Sequence, residues 1–226
     1  MAETGTLYII STPLGNLKDI TIRTIEVLKT VDYIACEDTR RSLKLLNTFD
    51  IHKELIVYNE HTIKKNTPVL LDLLENNHTI ALISDAGMPL IADSGLELVQ
   101  ACYEKNYAVQ VIPGPSAVIT ALVYAGFTTQ NFLFVNFLPR KKSKLLETIQ
   151  QASTLRVPVV CFESPHRLLH TLEWLQTLEM PMRICICREM TKINEEILRG
   201  SLDFVYNQYL NREVIGEITI VLDFLQ

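Results

Sequence analysis

Short runs of β-branched and apolar residues recur at positions 7–10, 33–36, 80–83 and 109–112. Between them lie stretches of helical period, with Ile22, Ile25 and Leu28 in one and Leu98, Val99 and Cys102 in another. Strand and helix in alternation predict a parallel sheet flanked by helices. Past Gly126 the pattern changes. Positions 132–137 form an aromatic strand, LPRKKSK at 138–144 a basic turn, and 157–162, 183–187 and 217–222 read as further strands. A helical period at 167–178 puts Leu168, Leu172 and Leu175 on one face, the mark of ordinary core packing. The change of pattern places a domain boundary near Thr128, dividing the chain into 1–128 and 129–226.

Composition allows this, because 226 residues with 48% hydrophobic and 21% charged content can bury a substantial core. A net charge of −5 argues against a globally basic nucleic-acid-binding surface and leaves room only for a local patch. The five cysteines lack a Cys-x-x-Cys pair and zinc spacing, so they read as buried small hydrophobes, with neither a disulfide scaffold nor a metal site expected. Residues 1–4 carry no basic leader, and the apolar stretch 118–127 is far short of the roughly 20 residues a membrane span needs. A cytoplasmic protein without membrane association is expected.

Candidate chemistry sits at the strand ends. TPLGN at 12–16, SDAGMP at 84–89 and PGPSA at 113–117 each follow an apolar run. Their glycines, prolines and small side chains let backbone amides and carbonyls face a ligand, and a parallel sheet gathers such loops at its carboxyl edge. Taken singly, each is an ordinary connector; together they predict a small-ligand pocket. The dinucleotide fingerprint is absent, since TPLGN holds only Gly15, and so is the Walker phosphate loop.

The order of these runs resembles the tetrapyrrole methylase superfamily, and within it the branch that methylates a cytidine ribose 2′-hydroxyl in small-subunit ribosomal RNA. The carriers are GTLYIISTPLGNLKDIT at 5–21, CEDTR at 36–40, NEH at 59–61, ISDAGMPLIADSG at 83–95 and IPGPSAVITAL at 112–122. FLPRKK at 137–142, FESPHRL at 162–168, CREMTKINEE at 187–196 and GEITIV at 216–221 continue the likeness. EDTR, ESPHR and REMTK mark the ribosomal RNA branch. The resemblance implies two α/β domains with S-adenosylmethionine in a cleft between them, and a homodimer. It places Pro13, Asp85, Ala86, Gly87, Ser116 and Ala117 in the cofactor loops, with Phe162 and Met190 from the second domain. Two departures are Met88, where the family usually has Thr, and Asp93-Ser94-Gly95, where it has Asp-Pro-Gly. Ser94 is expected to cap the following helix with its hydroxyl.

Methyl transfer from a sulfonium needs alignment and exclusion of water, and no metal; a base or polarising neighbour would help a ribose hydroxyl attack. The charged candidates lie in the signature runs: Glu37, Asp38 and Arg40; Glu163, His166 and Arg167; Arg188, Glu189 and Lys192. Glu189 and Lys192 are the preferred catalytic pair, because they follow a strand expected to end at the cleft. Asp38, Arg40, His166 and Arg167 are candidates for substrate contact. The cations Arg140, Lys141, Lys142 and Lys144 read as a solvated turn or as phosphate contacts to RNA. Two other readings stay open. One is a tetrapyrrole carbon methyltransferase. The other is a non-catalytic assembly protein that keeps the cofactor fold, prompted by the end of the chain at Gln226, where many members of the branch carry a further helical segment.

Overall fold

The structure is a computed structural model that describes residues 5–224. Residues 1–4, on which the expectation about a leader rests, lie outside the described residues. The chain divides into two compact units, Met1–Ser116 and Ala117–Gln226.

The first unit alternates strand and helix: β1 (Thr6–Ile10), α1 (Ile22–Thr30), β2 (Tyr33–Cys36), α2 (Thr39–Thr48), β3 (Glu54–Val57), α3 (Ile63–Glu75), β4 (Ile80–Ile83), α4 (Leu96–Glu104) and β5 (Ala108–Ile112). The strands form a parallel sheet in the order β3-β2-β4-β1-β5. Alternation along each strand feeds two cores. Leu7, Ile9, Ile80 and Leu82 pack with Leu70 and Leu74 of α3 and Leu98 of α4, while Ile10, Ile34, Ala81 and Ile83 pack with Leu28 of α1 and Leu46 of α2. Each fully buried Leu or Ile contributes roughly 1.5–3 kcal/mol. Helix starts follow local chemistry: Thr21 Oγ1 accepts the Thr24 N–H at 3.0 Å and Asp38 Oδ1 accepts that of Arg40 at 2.9 Å.

Register decides where the site can lie. Ile10 stands opposite both Ile83 and Ile112, and Cys36 opposite Ile83 and Val57. All five strands therefore end level, and the segments beginning at Ser11, Glu37, Tyr58, Ser84 and Pro113 leave one edge side by side.

The second unit contains α5 (Ala117–Ala125), β6 (Leu133–Phe137), α6 (Lys142–Ser153), β7 (Val159–Glu163), α7 (Leu168–Gln176), β8 (Met182–Arg188), β9 (Glu196–Ser201), α8 (Leu202–Tyr209) and β10 (Ile218–Phe224). Its sheet runs β6-β7-β10-β8-β9; β6 and β7 are parallel, and β7, β8 and β9 are joined through antiparallel pairs. One face packs α6, α7 and α8, with Leu168, Leu172 and Leu175 fully buried as the helical period predicted. The other face packs α5 through Val118, Ala121, Leu122 and Ala125 against Val160, Cys185 and Val221. That packing moves the division to Ser116/Ala117 from the expected Thr128, because α5 belongs to the second core. All five cysteines are free and buried. Among the described residues no helix is long and apolar enough to cross a membrane.

Candidate active site

Three loops of the first unit are stitched together by hydroxyls and main chain. Thr12 and Gly87 exchange N–H···O bonds of 2.9 and 3.0 Å, a two-residue antiparallel bridge between the loops after β1 and β4. Thr12 Oγ1 donates to Ser84 O at 3.0 Å, and Ser84 Oγ donates to Gly87 O at 3.0 Å. Ser11 Oγ donates to Pro115 O at 2.6 Å, which ties in the loop after β5. Gly87 has φ +84°, a conformation side chains rarely adopt, and a Cβ there would lie 3.3 Å from Leu14 Cδ2, which would have to give way by a few tenths of an ångström. Pro13, Asp85, Ala86, Gly87 and Ser116 are thus brought to one edge. Sequence reasoning missed Ser11, Thr12 and Ser84. Their signal was a hydroxyl at the first position or two after each apolar strand.

The loops after β2 and β3 join the same edge. Glu37 Oε1 accepts the N–H and hydroxyl of Ser94, both at 3.2 Å, and Glu37 O accepts Asn59 Nδ2 at 3.2 Å. Ser94 therefore does not cap α4. Its hydroxyl also lies 2.9 Å from Tyr58 O, and Gly95 occupies the cap position without a side-chain bond. Asp38 and Arg40 meet each other: Arg40 Nη2 donates to Asp38 Oδ2 at 2.8 Å, and the Arg40 side chain and N–H together hold the Asp38 carboxyl down at about 2. Arg41, which the sequence reading passed over, approaches Asp85 Oδ2 to 3.2 Å and links the EDTR run to the SDAG loop.

In the second unit, Ala117, Phe162 and Met190 share one apolar cluster on the α5 face of the sheet. Glu189 and Lys192 come together at the end of β8, where Lys192 Nζ donates to Glu189 Oε1 at 2.8 Å and to Glu217 Oε2 at 3.0 Å. Glu189 Oε1 also accepts the Glu217 N–H at 2.8 Å. A Cβ on Gly216 would strike the Glu189 side chain at 2.5 Å, so this glycine makes room for the carboxylate. Glu189 and Thr191 have φ of +51° and +66°, strain that their hydrogen bonds hold in place. Burial works to raise the Glu189 carboxyl, but Lys192 and the Glu217 N–H outweigh it and the group lies below its ordinary 4.5. Burial likewise works to lower the Lys192 ammonium, and the two carboxylates outweigh it, so it lies above 10.5. Neither group titrates near neutrality, where a general base works best. Arg188 turns aside to Glu196 at 2.8 Å, and Arg212 Nη2 joins the same carboxylate at 2.7 Å.

These shifts carry a pH signature. Glu189 has a depressed folded value, so its stabilisation is complete above about pH 4.5 and is lost as pH falls through the lower folded value. Lys192 has a raised one, so its part is complete below about pH 10.5 and is lost as pH rises through the folded value. Glu189→Gln is expected to lower stability by about 1–2 kcal/mol across the neutral range, and the gap from wild type should narrow as pH falls below about 4.5. Thermal unfolding of both proteins over a pH series tests this; a gap that stays constant into acid contradicts it.

Within the ESPHR run, Glu163 and Arg167 are tied into the fold. The Glu163 side chain is fully buried and accepts Thr171 Oγ1 at 2.6 Å and the Ser164 N–H at 2.7 Å, with Arg167 Nη2 at 3.4 Å. Arg167 Nη2 donates to Leu138 O at 3.1 Å and Pro139 O at 2.9 Å. His166 is exposed in the turn between them, and Arg140 and Lys141 are exposed beyond Pro139.

The family described as Tetrapyrrole (Corrin/Porphyrin) Methylases matches residues 6–205. A protein named ribosomal RNA small subunit methyltransferase I from Halalkalibacterium halodurans is 42% identical over 98% of this chain and 76% of its own length. Its namesake from Thermotoga maritima is 41% identical over 96% of this chain and 98% of its own, so the relatives differ in how far they run past the shared region. Among solved structures, cobalt precorrin-4 methyltransferase superposes with a TM-score of 0.69 at 16% identity, covering 96% of this chain and 94% of that one. Diphthine synthase superposes with 0.72 at 14%, covering 96% and 89%. At such low identities these two show the fold alone. The family match over most of the chain, and relatives above 40% identity over nearly all of it, place this chain in the tetrapyrrole methylase family.

Proposed function

We propose that this protein transfers a methyl group from S-adenosylmethionine to the ribose 2′-hydroxyl of a cytidine in small-subunit ribosomal RNA. The observation that carries the reading is the Thr12–Gly87 bridge, which binds the loops after β1 and β4 at the level edge of a parallel sheet. The name shared by the relatives supplies the substrate class.

The donor set suits the cofactor. Main chain and small side chains line the bridge at Gly87, whose positive φ disfavours a side chain, and Asp85 is the one carboxylate among the cofactor candidates. Pro13, Asp85, Ala86, Gly87 and Ser116, gathered at one edge of the first unit's sheet, would hold it. When bound, S-adenosylmethionine supplies a methyl group already activated by its sulfonium. The chain's own task is to orient the acceptor hydroxyl and keep water away.

Lys192 keeps its proton at Nζ and Glu189 keeps its charge. We therefore read the pair as an electrostatic element that fixes the strained 188–192 loop, while the proton that the 2′-hydroxyl sheds as its oxygen takes the methyl group passes to solvent. Asp38 and Arg40 would present a charged pair to the substrate at the start of α2, and Arg140 and Lys141 would meet phosphates. By family likeness the working form is a cytoplasmic homodimer; light scattering at twice the chain mass checks the dimer.

The test is incubation with methyl-labelled S-adenosylmethionine and small ribosomal subunits from cells lacking this enzyme, followed by nuclease digestion. Label on a cytidine ribose 2′-oxygen is expected. Cofactor binding without transfer to the subunit would overturn the reading.

A further inference from the structure

Strand β6 carries an irregularity that changes which way its last aromatic residue faces. Phe134 stands opposite Val160 and Phe137 opposite Phe162, so three steps on β6 match two on β7. The extra residue is a bulge, and Asn136 within it has φ +58° and accepts the Phe137 N–H on its own Oδ1 at 2.8 Å. Regular alternation would place Phe137 with Val135, toward the core under α6 and α7. The bulge reverses it onto the face of Phe134 and Phe162. Its ring centroid lies 5.6 Å from that of Phe162, which in turn lies 5.1 Å edge-on to Phe134.

A single exposed apolar residue is ordinary. Phe137 is 55% exposed, yet it is braced from behind by a second ring and turned outward by a strained residue. Its neighbours define the ligand. Leu138 is buried and anchors the strand end, Arg167 grips the Leu138 and Pro139 carbonyls, and Arg140, Lys141 and Lys142 follow, all exposed. Helix α6 starts there with no side-chain cap bond at Lys141, which adds its first-turn N–H groups to the positive end. A fixed aromatic face beside a short cationic run is the chemistry that binds single-stranded nucleic acid, with a base on the ring and phosphates on the cations.

We propose that Phe137 is a stacking platform for an unpaired base of the RNA substrate, with Arg140, Lys141 and Lys142 holding the adjoining phosphates and Arg167 fixing the two parts relative to each other. This rests on the ribosomal RNA reading for its biological substrate, but the platform can be tested without methyl transfer.

The probe is a fluorescein-labelled oligocytidylate of about twelve nucleotides, followed by anisotropy with the full chain. Phe137→Ala is expected to weaken binding about tenfold, Phe137→Trp to restore it, and Phe137→Leu to remain weak because it keeps bulk without a π-face. The slope of log K against log salt should be unchanged in Phe137→Ala and smaller by about 0.7 for each of Arg140 and Lys141 changed to Ala. Calorimetric affinity for S-adenosylmethionine should be unchanged in all of them. Failure of the wild type to bind the oligonucleotide, equal binding by Phe137→Leu and wild type, or a loss confined to cofactor affinity would each overturn the platform. Oligonucleotide binding through Phe137 without methylation of the subunit would leave the platform standing and remove the proposed methyl acceptor.

Discussion

Gly87→Val is expected to weaken S-adenosylmethionine binding by about a hundredfold while most of the fold survives. The substitution acts through two independent effects. At φ +84° a β-branched side chain is strained whatever the space around it, by roughly 1–3 kcal/mol. The new Cβ would also sit 3.3 Å from Leu14 Cδ2, and the branches beyond it have less room still. The loop must shift, and the bonds it shares with Thr12 and Ser84 shift with it. Because Thr12 also bonds Ser84 and its neighbour Ser11 bonds Pro115, the disturbance reaches all three loops at once. Gly87→Ala, with the backbone strain and less of the bulk, should fall between the two. Titration calorimetry with S-adenosylmethionine and a melting curve for each variant give the answer. Wild-type affinity in Gly87→Val would show that this junction does not form the cofactor site.

The central strands were legible because they are short, apolar and buried on both faces. Tyr33–Cys36 and Ile80–Ile83 are observed at the positions their β-branched runs predicted. Two strands escaped notice, β3 and β9, both at sheet edges; β9 is the mixed sequence EILRGS, whereas β3, ELIV, carries a short apolar run that the reading passed over. An edge strand is half solvated, so it needs no apolar run, and its pairing is decided by the neighbour it meets. The boundary was misplaced for a related reason. Helix α5 follows directly on the PGPS loop, and only the packing of its buried face shows which core it serves.

At the site, the sequence picked out the loops and their charged residues, and the structure adds how those residues pair. A carboxylate and a cation three or four positions apart can face a ligand or each other. In Glu189 and Lys192 they face each other, as do Glu163 and Arg167. The bonds that decide between these outcomes come from residues distant in sequence, Glu217 for one pair and Leu138 and Pro139 for the other. The bulge that turns Phe137 outward was equally hidden, since VNF reads as plain alternation until Asn136 adopts a positive φ.

Glu163→Ala should be among the most destabilising single changes in the second unit, by about 3 kcal/mol. The carboxylate is fully buried, and its removal strips an acceptor from the Thr171 hydroxyl, another from the Ser164 N–H and a counter-charge from Arg167. Thr171 has no exposed surface, so water cannot replace the lost acceptor without entering the core. Arg167 is a quarter exposed and can recover some hydration, which holds the estimate at the lower end of the range for a broken buried pair. Glu163→Gln keeps an oxygen for Thr171 or Ser164 and gives up only the charge, so it should cost about half as much. Arg167→Lys keeps the charge but shortens the side chain, so its nitrogen no longer sits where Nη2 meets two carbonyls and a carboxylate. It should therefore melt close to wild type, yet bind the oligocytidylate probe several-fold more weakly as the 138–141 turn loosens. Denaturant titrations of the three variants, set beside their RNA affinities, separate the two roles. Glu163→Ala within about 0.5 kcal/mol of wild type would remove the buried carboxylate from the core's support, and unaltered RNA affinity in Arg167→Lys would leave that arginine with a purely local structural task.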